Sequence, residues 1–303
     1  MPRVAFLGLG AIGAPMARHL VRDEYDFVVW NRTRARADAF VSETPARVAT
    51  SPADAARHRD VVISCLPVSR DVESLLEGPD GILATMPAGS IFVDCTSGDP
   101  ATSRRMAARF AEHGIGFLDA PVSGGVIGAV QGTLTVMVGG DLATLERVRP
   151  LLECFGQRIV HCGVVGTGDA LKAVNNAMLA MHIWGLSEGL VALQKAGVAA
   201  DVALEVINAS SGRSNTSMNL FPQRVLTREF PRTFRLALLD KDVAIAADLA
   251  REQHVPSPLL QLTAELFRMA HNELGEVADH VEATRVVERM GGAEIHPGTG
   301  ASA

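Results

Sequence analysis

The chain has 303 residues, 48% hydrophobic and 20% charged, with a formal net charge of −6 at pH 7. This length is sufficient for two hydrophobic cores, and the acidic balance argues against a nucleic-acid partner, which requires a basic surface. Four cysteines without a C-x-x-C pair predict reduced thiols of a cytoplasmic protein rather than a metal site such as zinc. The apolar stretch 173–193 is interrupted by polar residues, so we expect a buried helix and no membrane span.

The chain opens with a nucleotide-binding pattern. Residues 4–7 form a continuous apolar run, as in a strand buried on both faces of a parallel sheet. The sequence GLGAIG follows at residues 8–13, and a helical pattern begins at residue 14. This order predicts a dinucleotide site, because the glycines allow a tight turn, close approach of a pyrophosphate and close helix packing. The predicted phosphate-binding residues at this helix N-terminus are Gly8, Gly10, Ala11, Ile12 and Gly13.

The residues after the second strand-like run, residues 27–30, indicate which coenzyme the protein prefers. Asn31, Arg32 and Thr33 follow it, where an NAD-binding fold places a carboxylate for the ribose 2′-hydroxyl. A guanidinium such as that of Arg32 would instead pair with the 2′-phosphate of NADP. We therefore predict NADP(H) as the preferred coenzyme, with NAD(H) as the second choice. The alternative is that the arginines here only begin a solvated helix.

Further strand-like runs alternate with helical stretches, and this alternation predicts an α/β domain with a doubly wound sheet. The runs are residues 61–64, 90–93, 115–118 and 134–138, with helical patterns at 51–59 and 100–113. Ligands of such sheets bind beyond the carboxyl ends of the strands, where this chain has Cys65, Leu66, Pro67 and Thr96. The Thr96 hydroxyl can serve the cofactor or cap the helix that begins at Pro100.

The most glycine-dense segment, residues 119–134, follows one of these strands. Within it, Ser123, Gly124 and Gly125 offer a hydroxyl and adjacent amides without side chains, which can form an anion-binding nest. We predict a substrate carboxylate as the ligand there. The alternative is a flexible turn between strands.

The second half of the chain has mostly helical patterns. One runs from residue 168 to residue 196, about 40 Å in length, and Gly197 follows as a stop signal. Others cover residues 199–208, 220–226, 236–252, 258–274 and 280–290. We predict a cofactor-binding domain at residues 1–163, an all-helical substrate and oligomerisation domain at residues 164–295 entered through the long helix, and a disordered tail at residues 296–303.

Lys172 lies in the first turns of the long helical pattern, and Asn175 and Asn176 follow on the same helix face. Alcohol oxidation by hydride transfer needs a base for the hydroxyl proton, and burial can lower the pKa of a lysine toward neutral pH. We predict Lys172 as that base; the alternative is a solvated helix lysine. Lys241 and Asp242, in an apolar helical pattern, can form a surface patch or reach into a cleft.

Four separated motifs resemble those of the β-hydroxyacid dehydrogenase family, which includes 3-hydroxyisobutyrate dehydrogenase. They are GLGAIGAPM at residues 8–16, DAPVSGG at 119–125 with GTL at 132–134, G-x-G-x-x-x-K-x-x-N-N at 166–176, and the pair 241–242. The resemblance implies a Rossmann domain followed by an all-helical domain, with the active site between them. It also implies a homodimer or homotetramer formed through the helical domain.

The resemblance implies residue roles as well. Lys172 would be the general acid/base and Asn176 its hydrogen-bonding partner near the substrate. Residues 123–125 would hold the substrate carboxylate, and Thr96 and Lys241 would contact the cofactor near the nicotinamide. Ile12 stands where the family more often has Met, which leaves the backbone phosphate contacts unchanged.

The predicted function is hydride transfer between NADP(H) and a small 3-hydroxy acid or its semialdehyde, of the 3-hydroxyisobutyrate type. Alternatives on the same fold are a semialdehyde or glyoxylate reductase, an imine reductase, and a non-catalytic NADP-binding protein. Imine reductases usually lack the lysine, so Lys172 favours alcohol and aldehyde chemistry. We expect a small carboxylate substrate, and no metal, nucleic-acid or membrane partner.

Overall fold

The structure is a computed structural model that describes residues 1–298. The chain divides into two compact units, Met1–Lys172 and Ala173–Ala303, and the division falls inside one long helix. The first unit is built around a sheet, and the second is helical. Among the helices of residues 1–298, none combines the length and apolar character needed to cross a membrane.

A nine-stranded sheet lies at the centre of the first unit, all of which is described. Its strands are β1 (Arg3–Leu7), β2 (Asp26–Trp30), β3 (Arg47–Val48), β4 (Val61–Ser64), β5 (Ile91–Asp94), β6 (Gly116–Asp119), β7 (Val122–Ser123), β8 (Leu134–Gly139) and β9 (Gly156–Gly163). The order is β3-β2-β1-β4-β5-β6-β8-β7, with β9 beside β8. The first six are parallel, β8 is antiparallel to β6 and β7, and β9 is parallel to β8. The order 3-2-1-4-5-6 is that of a doubly wound dinucleotide-binding sheet, which confirms the predicted fold class.

Helices connect these strands and begin at recognisable caps. They are α1 (Gly13–His19), α2 (Arg34–Ser42), α3 (Pro52–Ala56), α4 (Ser69–Glu73), α5 (Pro100–Glu112), α6 (Gly125–Gln131) and α7 (Leu142–Leu152). The side chains of Ser51, Asp99 and Asp141 accept backbone N–H groups at the starts of α3, α5 and α7. Each such bond satisfies a donor that the helix itself leaves unpaired.

Apolar side chains cover both faces of the sheet. In β1, Val4 and Phe6 belong to one core cluster, whereas Ala5 and Leu7 belong to another. Successive side chains of a strand point to opposite faces, so a strand between two cores must be apolar throughout. This explains why β1 and β4 are continuous apolar runs rather than alternating ones.

The second unit packs helices around its own core. The elements are most of α8 (Thr167–Lys195), α9 (Ala200–Ala209), a π-helical segment (Thr216–Val225), α10 (Leu236–Glu252), α11 (Pro258–Leu274), a 3₁₀ turn (His280–Glu282) and α12 (Ala283–Gly291). Trp184, Phe221 and Phe267 are among the large buried side chains of this core. The Trp184 Nε1–H donates to Oε1 of Glu188 one turn later (2.8 Å), so the buried indole nitrogen is satisfied.

Most predicted elements are confirmed. The bounds of β4, α10 and α11 are those predicted, and the other predicted strands and helices differ by a few residues. The sequence patterns do not predict β3, β7 and β9, or the helices α2, α4, α6 and α7. Two of these strands have only two residues, which is too short for a periodic pattern, and α6 lies inside the glycine-dense segment.

The predicted tail begins with hydrogen-bonded residues. The carbonyl of His296 accepts the N–H of Ala200 (3.2 Å), and the N–H of Gly298 donates to Asp201 (2.9 Å). Residues 299–303, the remainder of the predicted disordered tail, lie outside the described residues.

Candidate active site

The glycine loop between β1 and α1 has the geometry that a dinucleotide requires. Gly8 has a φ of +104°, and a Cβ there would lie 2.4 Å from the carbonyl oxygen of Cys65. A Cβ on Gly13 would lie 2.0 Å from the carbonyl oxygen of Gly8, so only glycine allows this approach of α1. A Cβ on Gly10 would meet no atom within 4 Å. The middle glycine therefore leaves space beside the backbone, where a pyrophosphate fits.

Asn31 joins the end of β2 to this loop. Its Oδ1 accepts the N–H of Leu9 (2.9 Å), and its Nδ2 donates to the carbonyl of Thr33 (2.9 Å). A carboxylate could accept the first of these bonds but could not donate the second, so the position suits an amide. In the loop itself, Ala11 is exposed and Ile12 is the cap residue of α1.

The two arginines after β2 have different surroundings. The Arg32 side chain is 81% exposed, and its Nη1 lies 3.6 Å from Oδ1 of Asp71. Arg34 pairs with Asp38 one turn later on α2 (2.7 Å). Exposed ion pairs stabilise little, so the Arg32 guanidinium remains available to another anion. Arg34 fits the alternative interpretation, because it is an exposed residue at the start of α2. Thr33 is the exposed residue that caps this helix.

A buried carboxylate organises the ends of β4 and β5. Oδ1 of Asp94 accepts the Ser64 hydroxyl (2.8 Å) and the Thr96 N–H (3.0 Å), and Oγ1 of Thr96 accepts the Leu66 N–H (3.0 Å). Burial raises the pKa of Asp94 to about 6, although hydrogen bonds from Thr96 and Ser64 oppose the rise. Asp99 caps α5, so Thr96 is not the cap of that helix. Its predicted role toward the cofactor stays a prediction.

The loop after β4 supplies backbone rather than reactive side chains. Cys65 and Leu66 are half-buried and Pro67 is exposed. Burial raises the pKa of the Cys65 thiol to about 12. The raised pKa disfavours the thiolate, which is the nucleophilic form of a cysteine.

The predicted carboxylate-binding turn follows β7. Ser123 is paired with Thr135 of β8 across the sheet edge. Gly124 and Gly125 have φ values of +133° and +64°, conformations that favour glycine. Both glycines are exposed, and the turn leads directly into α6.

Two buried aspartates hold the start of α8. Oδ1 of Asp119 accepts the N–H of Gly166 (2.7 Å), and its Oδ2 accepts the N–H of Asp169 (3.0 Å). Asp169 in turn accepts the N–H of Gly98 (2.9 Å) and the hydroxyl of Ser103 (2.6 Å). Burial raises the pKa of both carboxyls, most strongly that of Asp169, which also has Asp119 nearby. The first turn of α8 is thereby fastened to the end of β6, to the loop after β5 and to α5.

Lys172 lies about one helical turn after Asp169, on the same helix α8. It is the last residue of the first unit and only 8% exposed. That burial contradicts the alternative of a solvated helix lysine. The glycine loop, the Ser123 turn and Lys172 all belong to the same compact unit.

The second unit contains a polar network on α8 and α10. Nδ2 of Asn176 donates to Oδ2 of Asp242 (2.6 Å), and Nζ of Lys241 lies 2.8 Å from Oδ1 of the same carboxylate. Nδ2 of Asn175 donates to Oδ1 of Asn176 (3.2 Å). Asp242 is 2% exposed, so the Lys241–Asp242 pair is not a surface patch. The carboxylate sets the orientation of the Asn176 amide.

The carboxylates that support these groups were missed as individual site residues. They are Asp94, Asp119, Asp169 and Asp242, and Asp71 beside Arg32 was likewise not predicted. A partial signal exists for two of them, since Asp94 and Asp119 end apolar strand runs, where site residues of such sheets collect. Within residues 1–298, no group of three or more His, Cys, Asp or Glu side chains could hold a metal ion.

Comparison with known proteins identifies the family. A family model described as the NAD binding domain of 6-phosphogluconate dehydrogenase matches residues 3–163. A second, described as NAD-binding of NADP-dependent 3-hydroxyisobutyrate dehydrogenase, matches residues 166–287. The chain belongs to the β-hydroxyacid dehydrogenase family.

Several β-hydroxyacid dehydrogenases are similar over almost the whole chain. The 2-(hydroxymethyl)glutarate dehydrogenase of Eubacterium barkeri is 34% identical over 297 residues, 98% of each chain. The NAD-dependent L-serine dehydrogenase of Pseudomonas aeruginosa is 36% identical, covering 89% of this chain and 92% of its own. A solved structure of Mycobacterium tuberculosis 3-hydroxyisobutyrate dehydrogenase with L-serine has a TM-score of 0.86 at 31% identity, over 95% of this chain and 99% of that one.

Family membership and the glycine-loop geometry together establish the enzyme class. The protein is an oxidoreductase of the 3-hydroxy acid dehydrogenase class that uses NAD(P). Hydride transfer to and from a hydroxy acid is thus its chemistry.

Proposed function

We propose that this enzyme transfers hydride between NADP(H) and a small 3-hydroxy acid or its semialdehyde, with Lys172 as the general acid/base. The observation that carries the proposal is a buried lysine at the start of α8, in the unit that also contains the glycine loop and the Ser123 turn. Bound NADP(H) would accept or supply the hydride. The chain itself must then hold the substrate and move one proton.

Substrate binding is assigned to the turn at residues 123–125. The Ser123 hydroxyl and the backbone N–H groups of the two exposed glycines are neutral donors. Neutral donors of this kind suit a carboxylate, since hydrogen bonds to an ionised acceptor are stronger than bonds between neutral groups. The carboxylate would fix the distance from the turn to the carbon that bears the hydroxyl. This is why we propose a short 3-hydroxy acid as substrate.

Proton transfer is assigned to Lys172. During oxidation, its neutral amine would take the proton of the substrate hydroxyl, and during reduction the ammonium would return that proton to the carbonyl oxygen. Asn176, one turn later on α8, would orient the reacting groups through an amide whose direction Asp242 sets. Thr96 and Lys241 keep their predicted roles as cofactor contacts.

The coenzyme preference and the assembly belong to the same proposal. Arg32, exposed at the end of β2, would pair with the 2′-phosphate of NADP(H). A homo-oligomer formed through the helical unit and a cytoplasmic location complete it. The four cysteines are free thiols, which agrees with a reducing compartment.

Replacement of Lys172 tests the proposal. We expect Lys172→Ala to lower kcat by ~10²-fold or more, because the acid/base is lost, while NADPH binding measured by fluorescence is retained. Lys172→Arg should not restore turnover, because arginine stays protonated. Lys195→Ala is the matched control, since Lys195 is an exposed lysine on the same helix. Near-normal turnover of Lys172→Ala would refute the assignment.

The substrate and coenzyme are tested by a panel of short 3-hydroxy acids and semialdehydes, each measured with NADPH and NADH. We expect the highest kcat/KM with a 3-hydroxy acid or semialdehyde that carries one free carboxylate. Methyl esters of the same compounds should be poor substrates. A strong preference for NADH would contradict the role of Arg32.

A further inference from the structure

One side chain beside the proposed 2′-phosphate site has no assigned role. Oδ1 of Asp71, in the first turn of α4, lies 3.6 Å from Nη1 of Arg32. Residues at the end of β2 face the ribose 2′ position in a dinucleotide-binding fold. If Arg32 pairs with a 2′-phosphate there, a carboxylate so close to its guanidinium would lie near the same phosphate.

Asp71 is held where it is by the packing of its helix. Val72 is fully buried in the core on one face of the sheet. The hydroxyl of Ser69 accepts the N–H of Asp99 (2.8 Å), which ties α4 to the start of α5. The Asp71 side chain is 25% exposed, against 81% for Arg32. Of the two partners, the arginine is the one free to turn toward a ligand.

Asp71 also bears on the carboxylate that is missing from the end of β2. The end of β2 carries Asn31, whose amide is already engaged by Leu9 and Thr33. The carboxyl end of β2 thus offers no carboxylate to the 2′-hydroxyl of NAD(H), whereas α4 has one in Asp71.

We propose that Asp71 is a specificity-determining residue that limits the preference for NADP(H) and lets the enzyme use NAD(H) as well. The inference rests on the proposed pairing of Arg32 with the 2′-phosphate. With NADP(H), the phosphate takes the guanidinium and meets the like charge of Asp71 at close range. With NAD(H), the neutral 2′-hydroxyl donates to that carboxylate instead. Asp71 therefore opposes one coenzyme and serves the other.

The opposite role is less consistent with the geometry. If Asp71 served to orient Arg32 for the phosphate, a short and buried pair would be needed to hold the guanidinium in one direction. The observed separation of 3.6 Å and the exposure of Arg32 describe a weak pair. Charge repulsion toward the phosphate then outweighs any orienting effect.

The test is the ratio of kcat/KM with NADPH to kcat/KM with NADH. We expect Asp71→Asn to raise this ratio on the order of tenfold, mainly through a lower KM for NADPH, because one like charge is removed within a few ångströms of the phosphate. Added salt should reduce the difference from the unmodified enzyme, because salt screens exposed charges. Asp38→Asn is the matched control: it removes the partner of Arg34 on the neighbouring α2 and should change the ratio less than about twofold.

Arg32→Gln separates this inference from the proposed function. If Arg32→Gln lowers the ratio and Asp71→Asn raises it, both stand. If Arg32→Gln lowers the ratio while Asp71→Asn leaves it unchanged or lowers it, Asp71 is not the limiting residue and the inference is overturned alone. If Arg32→Gln leaves the ratio unchanged, the coenzyme assignment fails and the inference fails with it. Arg32 is exposed and Asp71 is half-buried, so circular dichroism checks that each variant is folded.

Discussion

Asp94, at the end of β5, allows a quantitative test of how a buried carboxyl group makes the stability of the first unit depend on pH. Its carboxylate is 1% exposed and accepts hydrogen bonds from Ser64 and Thr96. Burial raises its pKa from 3.8 to about 6. The folded protein therefore binds this proton more tightly than the unfolded chain does. The group contributes stability that is complete below pH 3.8 and is lost as the pH rises through about 6.

The expected size follows from the shift in pKa. A rise from 3.8 to about 6 corresponds to roughly 3 kcal/mol, of which roughly 2 kcal/mol falls between about pH 4.5 and pH 7.5. Asp94→Asn removes the titration but keeps an oxygen that can accept the same two bonds. The stability of the variant relative to the unmodified protein should therefore increase by roughly 2 kcal/mol between these two pH values.

The assay is urea unfolding of the first unit, followed by the fluorescence of Trp30. Because the chain has two tryptophans and two units, a Trp184→Phe background confines the signal to β2 and avoids a mixed transition. Asp141→Asn is the control. Hydrogen bonds from Thr144 lower the pKa of Asp141, so its contribution is lost only as the pH falls below its ordinary value of 3.8. A pH-independent difference for Asp94→Asn would show that this carboxyl titrates normally and would refute the reasoning.

Four further variants test the space beside the glycine loop and the buried hydrogen bonds of the two units. Gly10→Ala should fold normally but bind NADPH on the order of tenfold more weakly, because the added Cβ enters open space that a pyrophosphate needs. Gly13→Ala should instead lower the thermal stability of the protein, because the added Cβ would collide with the backbone of Gly8. Asp242→Asn leaves one oxygen for two donors, so kcat should fall roughly tenfold or more; an unchanged kcat would contradict the role of the network. Asp119→Asn turns one acceptor of a buried N–H into a donor and should destabilise the first unit by about 1–3 kcal/mol in urea unfolding.

The fold was predictable because its strongest signals are local. The apolar run at residues 4–7, the glycines at 8–13 and the long helical pattern each lie within a short window, and each corresponds to an element of the structure. The elements without a local signal were missed. β9, for example, is mostly exposed or half-buried. It pairs with β8 alone in the fully described sheet, and such a strand lacks the apolar run that marks a buried one.

The candidate site was only partly predictable, for a related reason. Residues within a motif, such as the three glycines of the loop, are found by spacing. The bonds from Asp119 to Gly166 and to Asp169 instead join positions 47 and 50 residues apart. Nothing in the local pattern distinguishes such an aspartate from one that caps a turn. Their role becomes visible only when buried donors and acceptors are matched in the folded chain.

These long-range bonds explain why the proposed acid/base belongs to the sheet unit although its helix continues into the other. The first turn of α8 has N–H groups without partners inside the helix, and Asp119, at the end of β6, accepts two backbone N–H groups there. A second carboxylate, Asp169, fastens the same turn to the loop after β5. The position of Lys172 is therefore set by the ends of two strands, β5 and β6, that also lead to Thr96 and to Ser123. A proton-transfer group needs a fixed distance to the bound substrate and cofactor, and the proposed role of Lys172 would meet that need within the compact unit that ends at this residue.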